Sequence, residues 1–485
     1  MLKSNKIVKR WLKMVANIFF GSDEVSRDTL ENIINPYTNE IVSQYPMCTK
    51  EDTIKALNIA HKASIDTKSS KLSQRISWLD DVAKKLEVNL EDIAQTLCDE
   101  VGKPITFARI EVQRCIETVK LSTHAMINLS GHTINTDAMP SGIKTNAFYK
   151  RVPVGVVACI TPFNFPLNLV AHKIAPALVA GNAVVLKPTP EAPRTAYKFA
   201  KLFIESEFAI KNALSLVYGD VEVGSTLVES DIPRVLSFTG SVPVGNIITK
   251  TAGIKKLALE LGGNAATFID KTADISKAAS RCAFGAFVNS GQVCISLQRI
   301  YVDESIYDEF ANAMKVETEK LIVGSPYDDD TFIGPLINDE SLQRATSWVQ
   351  SAIDEGATCL SGNVYNGLNF HPTVMTEVTD EMKIVCEEVF APIVSLVKVK
   401  SYDEAIVKMN NSPYGLQFSI FTNNLQQTQQ FIEEADCGGV VINDIPTLRF
   451  DIQPYGGTKL SGIGKEGPSF ALEEFTEIKS VVICN

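Results

Sequence analysis

Early in the chain, apolar residues recur at the three- and four-residue spacing that gathers them on one face of a helix. Ile76, Leu79, Ala83 and Leu86 form such a stripe from Ser69 onward. A second helix is predicted to open at Asn89 as its N-cap, with Asp92 three positions on. It buries Leu90, Ile93, Leu97 and Val101 and stops at Gly102, with Pro104 beyond. A third spans residues 106–128 and carries Arg109 and Arg114.

After residue 150 the texture changes. Short runs rich in valine and leucine appear at 154–160, 183–186, 214–218, 235–238 and 257–261, separated by helical stretches such as 195–205. Strand–helix alternation of this kind predicts an α/β fold, a parallel sheet with helices on both faces. Such sheets bind ligands at the carboxyl ends of their strands, so the loops there are where chemistry is sought. A second α/β block follows over 262–443. The remainder is rich in glycine (Gly456, Gly457, Gly462, Gly464, Gly467) and ends in a predicted strand over 480–484. No repeat, low-complexity tract or long linker interrupts the pattern, so tightly integrated domains are expected.

The length of 485 residues exceeds one ordinary core and implies two or three domains. With 45% hydrophobic and 21% charged residues the chain is soluble and globular in composition. A net charge of −11 argues against nucleic acid as the main partner, though not against a small anionic substrate, for which one local arginine matters more. Ten cysteines are scattered without a CxxC pair, which fits a reducing, cytoplasmic compartment. The five histidines show no HExxH pairing, and no metal site is expected.

Two segments resemble membrane or targeting elements. Residues 152–171 carry no charge, but Pro153, Gly155, Pro162, Asn164 and Pro166 break them, so a buried strand and a rigid loop fit better than a membrane span. The N-terminus holds Lys3, Lys6, Lys9, Arg10 and Lys13, then an apolar run over 15–20. A solvated extension over residues 1–30 is the preferred reading there.

Five places carry candidate chemistry. Cys294, after Ser290-Gly291, is alone best read as a core filler, yet a turn there could supply backbone N–H groups that lower its pKa and hold an oxyanion. Glu260, inside an apolar run before Gly262-Gly263, is either a buried salt bridge or a general base. Asn164, in Thr161-Pro-Phe-Asn-Phe-Pro166, is an Asx-turn residue or an amide donor held by two prolines. Lys187, before Pro188, is a solvated strand-end lysine or a nucleotide contact. The turn Phe238-Thr-Gly-Ser241 could face a pyrophosphate at a helix N-terminus, although no GxGxxG is present.

Together, in this order, the segments resemble the aldehyde dehydrogenase superfamily from about Ile34 to the C-terminus. Asn35-Pro-Tyr-Thr-Asn-Glu40, Thr161-Pro-Phe-Asn-Phe-Pro166, Leu186-Lys-Pro188, Phe238-Thr-Gly-Ser241, Leu259-Glu-Leu-Gly-Gly263, Gly291-Gln-Val-Cys294, Glu387-Glu-Val-Phe-Ala-Pro392 and Pro454-Tyr-Gly-Gly-Thr-Lys-Leu-Ser-Gly462 carry the resemblance. It implies a Rossmann-variant cofactor domain over 31–131 and 151–261 and an α/β catalytic domain over 262–460. A β-strand oligomerisation arm over 132–150 and 465–485 completes the fold. It further implies NAD or NADP as cofactor, Cys294 as nucleophile, Asn164 and the Cys294 N–H as oxyanion donors, and Glu260 as the base that hydrolyses a thioester.

The resemblance also places Lys187 at the adenosine ribose, Gly240 and Ser241 at the pyrophosphate, Glu388 at the nicotinamide ribose and Phe390 beside it. Thr161, Pro162, Phe163, Gly224, Phe238 and Leu261 complete that set. Pro190 stands where NAD-preferring members often carry a glutamate, which leaves NADP admissible. Phe163, Asn168-Leu-Val-Ala-His-Lys173 and the Cys294 segment resemble the branch of lactaldehyde and non-phosphorylating glyceraldehyde-3-phosphate enzymes. A small polar or anionic aldehyde is therefore expected, with Arg114 and Arg449 as candidate anchors, in a homodimer or homotetramer. The alternatives are a semialdehyde dehydrogenase that acylates coenzyme A, which has no need of Glu260, and a non-catalytic protein on the same fold.

Overall fold

The computed structural model describes residues 15–484. The five basic residues of the N-terminus lie outside the described residues.

An eight-stranded sheet forms the first α/β block. Its five central strands are parallel, in the spatial order Leu214–Leu216, Ala183–Lys187, Val156–Ile160, Val235–Thr239, Lys256–Glu260. Apart from the half-buried start of Lys256–Glu260 they are almost wholly buried, which is why they read as continuous apolar runs rather than alternating ones. The chain reverses its direction of winding between Val156–Ile160 and Val235–Thr239. At such a switch point the loops diverge and leave a crevice. All twelve residues of the Asn168–Val179 helix are buried, and it packs between this sheet and the Ile105–Asn128 helix.

A seven-stranded sheet, parallel except for its edge strand Thr358–Ser361, forms the second block. Its central strands Ala265–Ile269 and Leu297–Asp303 are buried throughout. A separate three-stranded antiparallel sheet joins Thr476–Ile483, Asn146–Pro153 and His132–Asn135.

The predicted helices form as Leu72–Val88, Leu90–Val101 and Ile105–Asn128. Gly102 ends the second at φ 65°, the left-handed position that a side chain rarely adopts. Asn89 occupies the N-cap position, but its amide donates to the Lys85 carbonyl at 2.7 Å and so closes the preceding helix instead. The solvated reading of the N-terminal segment fails over Ala16–Gly21, while most of residues 23–30 are exposed. Ile18–Phe20 is a buried strand paired with Leu216, and Phe19 stacks on Tyr197 at 5.4 Å. Three apolar side chains gain more by covering the sheet edge than by facing water.

Candidate active site

The segment before Cys294 is bent by three successive residues with positive φ: Asn289 (53°), Ser290 (56°) and Gly291 (68°). Only glycine enters this region without steric cost, and Gly291 lies so close to the Ala391 carbonyl that a Cβ would clash with it. The strain at Asn289 and Ser290 is held by contacts. The Ser290 hydroxyl donates to the Gly334 carbonyl at 2.9 Å, and the Asn289 amide donates to Asn164 O and Gln292 O at 3.3 Å. The turn delivers Cys294 just ahead of the Leu297–Asp303 strand.

There Cys294 is half-buried, and its sulfur lies 2.9 Å from the Tyr455 hydroxyl. Burial pushes the thiol up to about 12, although Tyr455 and Arg449 pull it down; Glu388 and Glu260 add to the rise. The expected lowering of the thiol pKa by the turn is thus reversed, because desolvation outweighs the neighbouring donors.

Asn164 comes from the loop 161–167, which leaves the Val156–Ile160 strand at the switch point. Its side-chain amide donates to the Gln292 carbonyl at 3.1 Å, two residues from Cys294. The prolines are not its main support. Lys103 donates to the Asn164 carbonyl at 2.7 Å, lies 4.0 Å from the Phe165 ring centroid and pairs with Glu111. Glu111 in turn accepts from the backbone of Leu167 (2.9 Å) and Asn168 (3.1 Å).

Glu260 ends its strand buried, with one carboxylate oxygen lacking a partner. Burial and the nearby Glu466 raise its pKa well above the ordinary carboxylate range, against Lys173, Arg449 and Lys465. Glu466 itself accepts from Arg449 at 2.6 Å and faces Lys173 at 3.6 Å; despite its burial, His172 and these two cations hold it at about 2.

Most of the residues assigned to a cofactor lie at or just after the carboxyl ends of the first block's strands, whereas Glu388 and Phe390 come from the second block. Thr161 and Thr239, on either side of the switch point, have buried hydroxyls without a partner. Gly240 lies against the Phe238 ring, and Gly245 stands where a Cβ would come within 2.6 Å of Leu261. Ser241 is the N-cap of Val242–Thr251, yet its side chain makes no capping bond, so that helix end has donors to offer.

Lys187 is buried rather than solvated, near Gly224, and burial lowers its pKa against the pull of Glu191 and Asp220. Pro190 is followed by Glu191, which accepts from Thr189, so a carboxylate is present one residue on. Glu388 accepts from the Gly263 N–H at 3.0 Å, and its burial pushes it up to about 7. Phe390 adopts a positive φ of 51° and meets Phe163 edge-on at 5.9 Å. This crevice of unpaired hydroxyls, close-approach glycines and an open helix end fits a dinucleotide.

Both arginines are engaged. Arg114 makes a two-point pair with Asp451 (2.9 and 2.7 Å), which also bonds His172, and it lies 5.9 Å from the Phe165 ring centroid. Arg449 pairs with Glu466 and lies 3.8 Å from the Tyr455 ring centroid. Their side chains are 27% and 9% exposed, so Arg114 is the more reachable. Lys103, Glu111 and Glu466 surround this site and escape a motif reading, and Tyr455 lies in the quoted segment 454–462 without a role having been assigned to it. Glu111 alone leaves a signal, a carboxylate on the helix face that also carries Ala108, Val112 and Cys115.

Residues 23–481 match the aldehyde dehydrogenase family. A 3-sulfolactaldehyde dehydrogenase from Priestia megaterium is 42% identical over 464 residues, covering 96% of both chains. An aldehyde dehydrogenase from Physcomitrella patens, solved in complex with its reaction product succinate, is 36% identical with a TM-score of 0.94, covering 97% of this chain and 98% of its own. A glyceraldehyde-3-phosphate dehydrogenase from Methanocaldococcus jannaschii, solved with NADP, is 38% identical with a TM-score of 0.90, covering 95% and 100%. Matched over nearly its whole length in sequence and in fold, the chain belongs to the aldehyde dehydrogenase family and is an oxidoreductase that converts an aldehyde to its carboxylic acid with NAD(P).

Proposed function

We propose that the substrate is a small polar or anionic aldehyde of lactaldehyde type, attacked by Cys294. The observation that carries this reading is the cluster around the Cys294 sulfur. Val293, Leu416 and Tyr455 form a buried cluster against which Phe165 and Cys294 pack, and the partly exposed Arg114 stands beside Phe165. The relatives named above add weight, since sulfolactaldehyde, glyceraldehyde-3-phosphate and the acid succinate are all anionic.

In this reading the Cys294 thiolate adds to the aldehyde carbon to give a thiohemiacetal. The oxyanion is held by the Asn164 amide and the Cys294 N–H. The cofactor supplies a hydride acceptor when bound, and the covalent product left on Cys294 is then a thioester. Glu260 takes a proton from water, which attacks the thioester and releases the acid. Lys187, Gly240, Ser241 and Glu388 would hold the cofactor, with Phe390 next to them. Thr161, Pro162, Phe163, Pro190, Gly224, Phe238 and Leu261 line its cleft.

The domain division of residues 31–131 with 151–261, and of 262–460, follows from the same reading. The three-stranded sheet serves as the arm of a homodimer or homotetramer, since it carries exposed Ile134, Ile478 and Val482. A cytoplasmic location fits the scattered free cysteines. Among the described residues no helix is long and apolar enough to cross a membrane.

The test is cofactor reduction with NAD and NADP against lactaldehyde, glycolaldehyde, glyceraldehyde-3-phosphate, succinic semialdehyde and an aliphatic aldehyde. Cys294→Ala is expected to lose all measurable reduction while keeping its melting temperature. Retained activity in that variant, or a preference for the aliphatic aldehyde, overturns the proposal.

A further inference from the structure

We infer that Tyr455 is a further catalytic residue, whose hydroxyl donates to the Cys294 sulfur and stabilises the attacking thiolate. This rests on the reading of Cys294 as nucleophile.

The phenol is buried, and its hydroxyl lies 2.9 Å from the sulfur, its one hydrogen-bond partner among the described residues. A buried hydroxyl without a partner is costly, and a phenylalanine would fill the same space without that cost. The oxygen is therefore accounted for by the sulfur.

The ring is held from two sides. Tyr455 exchanges backbone hydrogen bonds with Glu466 at 2.9 and 2.6 Å, and the Arg449 guanidinium, itself paired with Glu466, covers its face at 3.8 Å. A cation over an aromatic face draws on the electron density of the ring, which makes the hydroxyl the better donor. Against that pull, burial and the neighbouring Cys294 push the phenol well above its ordinary pKa, so it keeps its proton.

A donor is needed here. Glu388 and Glu260 both oppose a negative charge on the sulfur; Arg449 and Tyr455 are the groups that favour it. Arg449 is already committed to Glu466, which leaves the Tyr455 hydroxyl as the group in direct contact. A thiolate can only accept, so ionisation fixes the direction of this hydrogen bond.

The test is the rate at which iodoacetamide labels Cys294, followed by peptide mass spectrometry from neutral to alkaline pH. Tyr455→Phe is compared with the parent. Loss of a hydrogen bond to a charged group raises the thiol by about one pH unit or more. The higher nucleophilicity of the more basic thiolate offsets part of this, so labelling at neutral pH is expected to slow by roughly threefold to tenfold.

A purely spatial role has the opposite sign, because removing the oxygen opens access. Equal or faster labelling at neutral pH, with the melting temperature unchanged, overturns the proposal. Arg449→Met, with the hydroxyl kept, is expected to slow labelling to a smaller degree. If Cys294→Ala remains active, the nucleophile reading fails instead; if it is inactive while Tyr455→Phe labels like the parent, only the role of Tyr455 falls.

Discussion

Glu260 and Glu466 are neighbouring carboxylates driven apart by their surroundings. Despite its burial, His172, Arg449 and Lys173 hold Glu466 well below the ordinary carboxylate range, while burial and that charge raise the pKa of Glu260. In Glu260→Gln the thioester is expected to form but not to hydrolyse. One equivalent of reduced cofactor should then appear in a burst, with acylated Cys294 visible by mass spectrometry. Because the folded-state pKa of Glu260 is raised, its base form grows as pH rises, and hydrolysis should climb with it; a flat profile would remove Glu260 from this step.

Arg114→Ala is expected to raise KM for anionic aldehydes by about tenfold or more, the loss of one charge-assisted contact, without changing KM for neutral ones. An equal effect on both classes would reduce Arg114 to a partner of Asp451. At this scale sequence reveals residues whose identity is fixed by a motif, such as Cys294, Glu260 and Asn164. Glu466 stays hidden, and so does the role of Tyr455 within its motif, since their work depends on partners that no spacing encodes.

Among the elements, the loop 161–167 depends on a buried ion pair rather than on its own prolines. Lys103 and Glu111 are each 1% exposed, and between them they satisfy three backbone groups of the loop region. Glu111→Gln leaves an ammonium buried without its counter-ion, and is expected to cost about 3–5 kcal/mol in urea unfolding. The double change Lys103→Met with Glu111→Leu should cost less than either single change, a comparison that separates charge burial from packing.

Periodicity made the helices and the parallel strands readable, because burial imposes a repeat on the sequence. It could not show that Asn89 turns back to Lys85, or that residues 18–20 close a sheet edge. The first was decided by a choice between two local bonds, the second by the distant neighbours Leu216 and Tyr197.

For the whole molecule, the cluster of Asp451, Glu466, His172, Arg114 and Arg449 links stability to pH. Both carboxylates are depressed, Glu466 from an ordinary 4.5 to about 2 and Asp451 further still. Their stabilisation is fully present above the unfolded value and fades as pH falls through the folded ones. For Glu466 the shift corresponds to about 3 kcal/mol. The urea midpoint is expected to fall steeply between mildly acidic and strongly acidic pH, and Glu466→Gln should flatten that decline. An unaltered slope would place the acid sensitivity elsewhere.

Fold class and family were legible at this scale because eight separated segments kept their order. The packing of one block on the other was not, being set by side chains such as Asp451, which bonds Arg114 and His172 yet looks ordinary in one dimension. The contact between Cys294 and Tyr455 spans 161 residues of chain, and Asn164 reaches Gln292 across 128. Loops that long close late, after helices and neighbouring strands have formed. On dilution from denaturant, secondary structure should therefore return first and aldehyde-dependent cofactor reduction last. The interval between the two is a clock for the moment at which the chain becomes an enzyme.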